Sequence, residues 1–318
     1  MNKTKIDWCD MTWNPVTGCL HGCEYCYAKG IINRFKPADC YCNNCVNGPC
    51  CTSEDYKKCG LYAPYEKIHK LEQKQYFFNP KRYIAYPFGY EPTFHKYRLD
   101  EPRYVKQSQK IFVVDMGDLF GEWVPDEWIK EVFKACAAAP WHKYLFLTKN
   151  PGRYGKINGW DHRYDYGFAT ENMWLGMTIT GKDDIQKLRQ LPYGHANTFV
   201  SIEPLSAEIN LEPFFPKPTT RWKCSFCGHY SSGYSLHCGG CGKEGGYSGS
   251  FRKQPINWVI IGGETGNRKD KIVPRREWIE CIVDDCRAAG VPIFMKHNLA
   301  AAWGDDLIQE WPDGLKGG

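Results

Sequence analysis

The sequence predicts an α/β fold, a barrel of parallel strands covered by helices. Three observations carry this. Six short apolar runs rich in β-branched and aromatic residues are apolar on both faces, as strands covered by helices must be: Ile111–Asp115, Tyr144–Thr148, Trp174–Ile179, Thr198–Ile202, Trp258–Ile261 and Pro292–Met295. Amphipathic helical patterns lie between them, giving a βα unit that repeats about every 30 residues. Polar residues recur just after the strands, where parallel α/β barrels build their sites: Met116-Gly117-Asp118, Lys149-Asn150, Thr180, Glu203, Gly262-Gly263-Glu264 and Lys296-His297.

Each element has a local reason. Lys5–Thr12 reads as a first, more polar strand. In Asp126–Ala138, Trp128, Ile129, Val132, Phe133 and Cys136 share one helical face, with Pro125 just before the start. In Arg276–Ala289, Trp278, Ile279, Ile282, Val283 and Cys286 do the same, and Gly290 is a natural stop. Asp183–Leu191 is a shorter helical candidate. Two stretches break the rhythm and read as insertions in one domain spanning 1–318: a Cys-, Tyr- and Pro-rich segment, 37–105, and a Gly/Ser/Cys-rich segment within 212–256.

Composition narrows the class. Hydrophobic residues make up 42% of the 318, enough for a sizeable core. Forty-one Lys and Arg against 36 Asp and Glu give a net charge of +5, spread along the chain. An anionic small molecule is compatible with that balance; a nucleic-acid partner would call for a basic stripe, and none is present. No run reaches the ~18 apolar residues of a membrane span, and the N-terminus lacks the apolar core of a signal peptide. The expected location is the cytoplasm, without a membrane partner.

Cysteine is the outlier, at 17 residues. Clustered cysteines in a reducing compartment point to metal rather than disulfides. Cys19, Cys23 and Cys26 have the spacing C-x3-C-x2-C. Three thiolates can hold three irons of a [4Fe-4S] cube and leave the fourth open. Gly18 and Gly22 let the loop fold around it. A structural-zinc reading of the same cysteines needs a fourth ligand, such as His21 or Cys9; His21 otherwise reads as a loop residue.

Cys224, Cys227, Cys238 and Cys241 form C-x2-C-x10-C-x2-C, the pattern of a four-thiolate zinc ribbon, with an auxiliary iron–sulfur cluster as the rival. Six cysteines fall in 40–59. Cys40, Cys42 and Cys45 with one of Cys50, Cys51 or Cys59 make a second zinc site, or a second cluster. Cys136 and Cys286 read as core residues.

The motif C-x3-C-x2-C with an aromatic, Tyr25, before its third cysteine resembles the signature of the radical S-adenosylmethionine (radical SAM) superfamily. TWNPVTGCLHGCEYCYA, MGDLF, LFLTKNPGR, WLGMTI, FVSIEPL and WVIIGGETG occur in the order seen in its phage-protein-like family. The resemblance covers the strand-rich parts of the chain and implies a partial (β/α) barrel. It also implies S-adenosyl-L-methionine bound to the open iron and cleaved to a 5′-deoxyadenosyl radical, with an electron donor such as a flavodoxin or ferredoxin as partner. Within that family the chain is similar in length and cysteine richness to the lyases of queuosine salvage, which release queuine from queuosine 5′-phosphate. A small nucleotide substrate is then expected.

Residue roles follow from the same resemblance. Tyr25 is expected near the SAM adenine. Asp115 and Asp118 fall where such proteins grip the SAM amino group, although the usual Gly-Gly-Glu is absent. Thr178, Ser201 and Glu203 would line its ribose or methionine. Glu264 would contact SAM or substrate. Lys149, Arg268 and Lys296 would hold a substrate phosphate through charge-assisted hydrogen bonds. Two other readings stay open: the same chemistry on another nucleotide, a nucleic acid or a protein, and a non-enzymatic zinc-binding scaffold or nucleic-acid-binding protein.

Overall fold

The computed structural model describes residues 1–35, 68–76, 83–157, 171–192, 197–215, 222–224, 226–231, 240–241, 247–248, 256–265 and 268–316. The chain divides into two compact units, 1–150 with 265–269 and 318, and 151–264 with 270–317.

In the first unit, β1 (Asn2–Lys3) lies antiparallel on β2 (Met11–Trp13). Two short strands, β3 (Val16–Thr17) and later β5 (Thr93–His95), pair antiparallel, and β4 (His69–Leu71) joins β5 in parallel; helix α1 (Tyr27–Phe35) comes between β3 and β4 in the chain. β6 (Lys110–Val113) runs parallel to β2, with Trp13 opposite Val113. After helix α2 (Asp126–Ala137), β7 (Lys143–Thr148) runs parallel to β6. The expected strand over Lys5–Thr12 is shorter than its sequence suggests. Residues 6–9 turn, and Trp8 is buried against Phe112 at 4.7 Å between ring centroids. Ring burial outweighs extension there.

Helix α2 begins after Pro125, with Asp126 and Glu127 in its first turn beside the positive end of the helix dipole. Trp128, Ile129, Val132, Phe133 and Cys136 are all buried, the stripe expected from their spacing. Phe133 meets Phe146 at 5.2 Å, and Trp128 stacks on Phe94 at 5.2 Å. Phe94 belongs to the segment read as an insertion. Its burial, and the bond from Trp13 Nε1 to the Arg98 carbonyl at 2.9 Å, make the end of that segment part of the core.

In the second unit, β8 (Met173–Ile179), β9 (Asn197–Ile202), β10 (Val259–Ile261) and β11 (Ile293–Met295) are parallel neighbours in that order. Helix α3 (Arg276–Ala289) precedes β11 and ends at Gly290, whose φ of 67° is the left-handed cap expected of a glycine. Gly176 is required by packing, because a Cβ there would stand 2.4 Å from the Phe199 ring. Below it, Trp258 sits among Trp174, Phe199, Phe294 and Trp311 with centroids 5.1–6.5 Å apart. Lys182–Gln190 forms a 3-10 helix instead of the expected α-helix. Only Leu188 in it is buried, so no apolar stripe rewards α geometry. Near Cys227, Trp222–Cys224 is the central strand of a small antiparallel sheet with Tyr230–Ser231 and Tyr247–Ser248.

Both units are thus α/β, each with a principal sheet that is mostly parallel. Among the described residues no helix is long and apolar enough to cross a membrane.

His95 supplies a pH test of the first unit. Its ring is fully buried between Thr17 Oγ1, 2.8 Å from Nε2, and the Tyr97 hydroxyl, 3.1 Å from Nδ1. Burial first, and the Arg98 charge second, lower its pKa to about 2 from 6.5. Between those values the unfolded chain binds a proton that the folded one refuses, so stability falls as pH drops below 6.5. Urea unfolding at a series of pH values should show a loss of up to about 1.4 kcal/mol per pH unit below that point, and His95→Gln should flatten the slope.

Candidate functional site

The cysteine loop of the first unit leaves β3 at Gly18 and enters α1 at Tyr27. Gly18 has φ of 87° and its N–H donates to the Met116 carbonyl at 2.9 Å. A Cβ at Gly18 would stand 2.3 Å from the Glu91 carbonyl oxygen and 2.7 Å from that of Tyr90. Gly117 bridges to it from the loop after β6. Gly22, at φ of 72°, makes the second left-handed turn, with open space around it.

Cys19, Cys23 and Cys26 are all half-buried. Burial pushes the Cys19 thiol up to about 12; the His21 N–H opposes this, and Asp118, Cys23 and Cys26 add to it. Among the described residues no group of three His, Cys, Asp or Glu stands at distances suited to a single metal ion. A [4Fe-4S] cube takes each thiolate on a different iron, which asks for three sulfurs spaced more widely than ligands of one ion. The donor set, three thiols on one short loop, is of the kind such a cube takes.

Asp118 organises the surroundings. Only 4% exposed, its carboxylate accepts from Phe120 N–H at 2.9 Å, Thr148 Oγ1 at 2.8 and 3.0 Å and Lys149 N–H at 3.1 Å, and it pairs with His21 Nε2 at 2.7 Å. A ligand amino group would have to displace one of these donors. His21 also meets the edge of Trp123 at 4.9 Å. Asp115 accepts from Asn14 Nδ2 at 2.6 Å, and the Asn14 side-chain Oδ1 takes the Met116 N–H at 3.0 Å. Burial raises the Asp115 pKa against the hydrogen bonds from Asn14 and Thr12. Lys149 Nζ donates to the Tyr25 hydroxyl at 2.8 Å, and Arg268 lies 3.8 Å from Glu24 in a surface pair. The first unit so gathers Cys19, Cys23, Tyr25, Cys26, Asp115, Asp118, Lys149 and Arg268.

Sequence reasoning missed Asn14 and Tyr90. Tyr90 accepts the Cys19 N–H at its carbonyl, 3.2 Å, and its hydroxyl lies 3.0 Å from Cys26 Sγ. Asn14, inside TWNPVTGC, carried a signal as a polar residue just after a strand; Tyr90 carried none.

The second unit holds the other set. Thr178 and Ser201 are paired across β8 and β9, so their side chains leave the same face. Ser201 Oγ donates to Glu203 Oε1 at 2.9 Å, and Lys296 Nζ reaches Glu203 Oε2 at 2.5 Å. Gly262 makes room for this pair: a Cβ there would stand 2.8 Å from Lys296 Cδ and 3.1 Å from Glu203 Cγ. Glu264 follows two residues later, half-buried. Of the remaining cysteines, Cys227 and Cys241 are exposed, and Cys136 and Cys286 are core residues as expected. Cys40, Cys42, Cys45 and Cys238 lie outside the described residues, as does the Cys224 side chain.

Two stability tests follow. Gly18→Ala adds a backbone clash to a left-handed φ and should cost about 3 kcal/mol in chemical unfolding, whereas Gly22→Ala, strained but unhindered, should cost about 1 kcal/mol. Glu203→Gln or Lys296→Met alone should each cost about 2 kcal/mol by leaving a mostly buried charge unpaired, with the double variant costing less than the two together.

No curated protein and no solved structure matches the chain. One family model, described as "Protein of unknown function (DUF5131)", matches residues 3–306. That match takes in nearly the whole sequence, and the chain belongs to the DUF5131 family.

Proposed function

We propose that this chain is a radical SAM enzyme, a partial (β/α) barrel whose Cys19, Cys23 and Cys26 hold a [4Fe-4S] cluster, and that it acts as a queuine lyase on queuosine 5′-phosphate. The observation that carries the reading is the C-x3-C-x2-C loop, turned at Gly18 and Gly22, with Cys19, Cys23 and Cys26 all half-buried on one short segment. The chemistry such a cluster supplies is one-electron cleavage of bound SAM, yielding a radical that takes hydrogen from the substrate sugar. Structural zinc at Cys224, Cys227, Cys238 and Cys241 belongs to the same proposal, with Cys40, Cys42 and Cys45 as a second metal group.

The chain's own residues have defined tasks in it. Asp118 holds His21 and the start of the loop after β7, and so orders the cysteine loop. Tyr25, tied to Lys149, presents a ring face beside the third cysteine, suited to an adenine. Lys149 and Lys296 are each engaged within the chain. A phosphate would compete for them with a phenol and a carboxylate. Thr178, Ser201 and Glu203 offer hydroxyl and carboxylate groups to a ribose or an amino group, and Glu264 and Arg268 are the remaining polar candidates.

Protein purified without oxygen should carry about four irons with matching sulfide at the loop. With SAM and a reductant it should form 5′-deoxyadenosine, and queuosine 5′-phosphate should release queuine. Cys23→Ala should abolish both products. 5′-Deoxyadenosine without queuine would keep the chemistry and discard the substrate. Zinc without iron, and no SAM cleavage, would leave a zinc-binding scaffold as the function.

A further inference from the structure

Tyr90 touches both ends of the cysteine loop. Its carbonyl oxygen accepts the N–H of Cys19 at 3.2 Å, and its hydroxyl stands 3.0 Å from Cys26 Sγ. The contact has no slack at the first end, because Gly18 lies so close to the Tyr90 and Glu91 carbonyls that no Cβ fits between them. At the second end the ring packs beside Cys26 against the cluster of Ala28, Ile32 and Met116, with Tyr86 as a neighbour. The Lys29 N–H is a second, longer donor to the same sulfur, at 3.4 Å.

A thiolate bound to iron has no proton to give, whereas a phenol keeps its proton at neutral pH. The O–H of Tyr90 is then the donor and the Cys26 sulfur the acceptor. A hydrogen bond to a ligand sulfur draws electron density from the metal and stabilises the reduced state, and apolar surroundings strengthen it. We infer that Tyr90 is a positioning residue for the cluster, setting its reduction potential through the hydroxyl–Cys26 contact while its main chain fixes Cys19. The inference rests on the cluster reading above and gives that site a regulator from a part of the chain remote in sequence.

The test is a redox titration of the full-length protein, loaded anaerobically with iron and sulfide. Tyr90→Phe keeps the ring and the carbonyl and removes only the hydroxyl. It should retain its iron while the cluster's midpoint potential moves to more negative values and the spectrum of the reduced cluster changes. Replacing Tyr90 by a monofluorotyrosine, a stronger donor, should move the potential the other way, and this variant decides the matter if Tyr90→Phe loads poorly. Wild-type protein that loads a cluster whose potential is indifferent to both changes overturns the inference and leaves the cluster reading intact. Wild-type protein that takes up no cluster overturns both.

Discussion

The first unit depends on one close approach of three backbones. Gly18 lies against the Tyr90–Glu91 carbonyls on one side and bridges to Gly117 on the other, and its N–H donates to Met116. Only a residue without a Cβ, and free to take a positive φ, can stand there. From that point the chain must turn away from β3, and Cys19 is its first residue. Everything polar nearby serves to keep the approach in register. Asn14 ties the end of β2 to Asp115 and Met116, and Asp118 ties the next turn to β7. Val114, between these anchors, has φ of 63°, a rare conformation for a β-branched residue. Its N–H still bonds to Trp13, so the strand pairing continues up to the residue that breaks it. Backbone strain of this kind persists where its surroundings over-determine it, and here Trp13 and Asn14 hold the residues around Val114.

Most of this architecture was legible in the sequence, for definite reasons. Six apolar runs became strands within one or two residues because two-sided burial leaves little choice of period. Both long helices began and ended as their caps foretold, at Pro125 and at Gly290, although Trp278 of the second stripe is only half-buried, under the Arg275 guanidinium. Where the reading failed, local signals lost to tertiary ones. Lys5–Thr12 is too polar to announce that Trp8 would be buried in place of a longer strand. Lys182–Gln190 has helical spacing but almost nothing to bury. The segment 37–105 lacks periodicity, yet its end supplies Phe94 and Tyr90 through contacts that only the folded chain creates.

The candidate site was legible in its chemistry and less so in its connections. Spacing pointed to Cys19, Cys23 and Cys26, and to glycines around them. It carried no sign of which donors would reach their sulfurs, since Tyr90 is 64 residues from Cys26 and Asp118 is 97 from His21. Hydrogen-bond partners at such separations are set by the sheet order, which no short window contains.

The two lysines read as phosphate ligands differ in what already holds them. Lys149 and Lys296, both read as phosphate ligands, are engaged before any ligand arrives, one by a phenol and one by a carboxylate. The two engagements differ in kind. Lys149 donates to a neutral oxygen and keeps its full charge available, so a phosphate could share it at small cost. Lys296 is neutralised by Glu203 where both side chains are mostly buried, and an anion taking its place beside the lysine would leave Glu203 charged and unpaired. A group that carries both signs answers that second site better than a phosphate does: an ammonium for Glu203 and a carboxylate for Lys296. Such pairing occurs in an amino acid moiety, and the Ser201 hydroxyl beside Glu203 fits the same description. A phosphate would therefore meet less opposition at Lys149 than at Lys296, which Glu203 already holds.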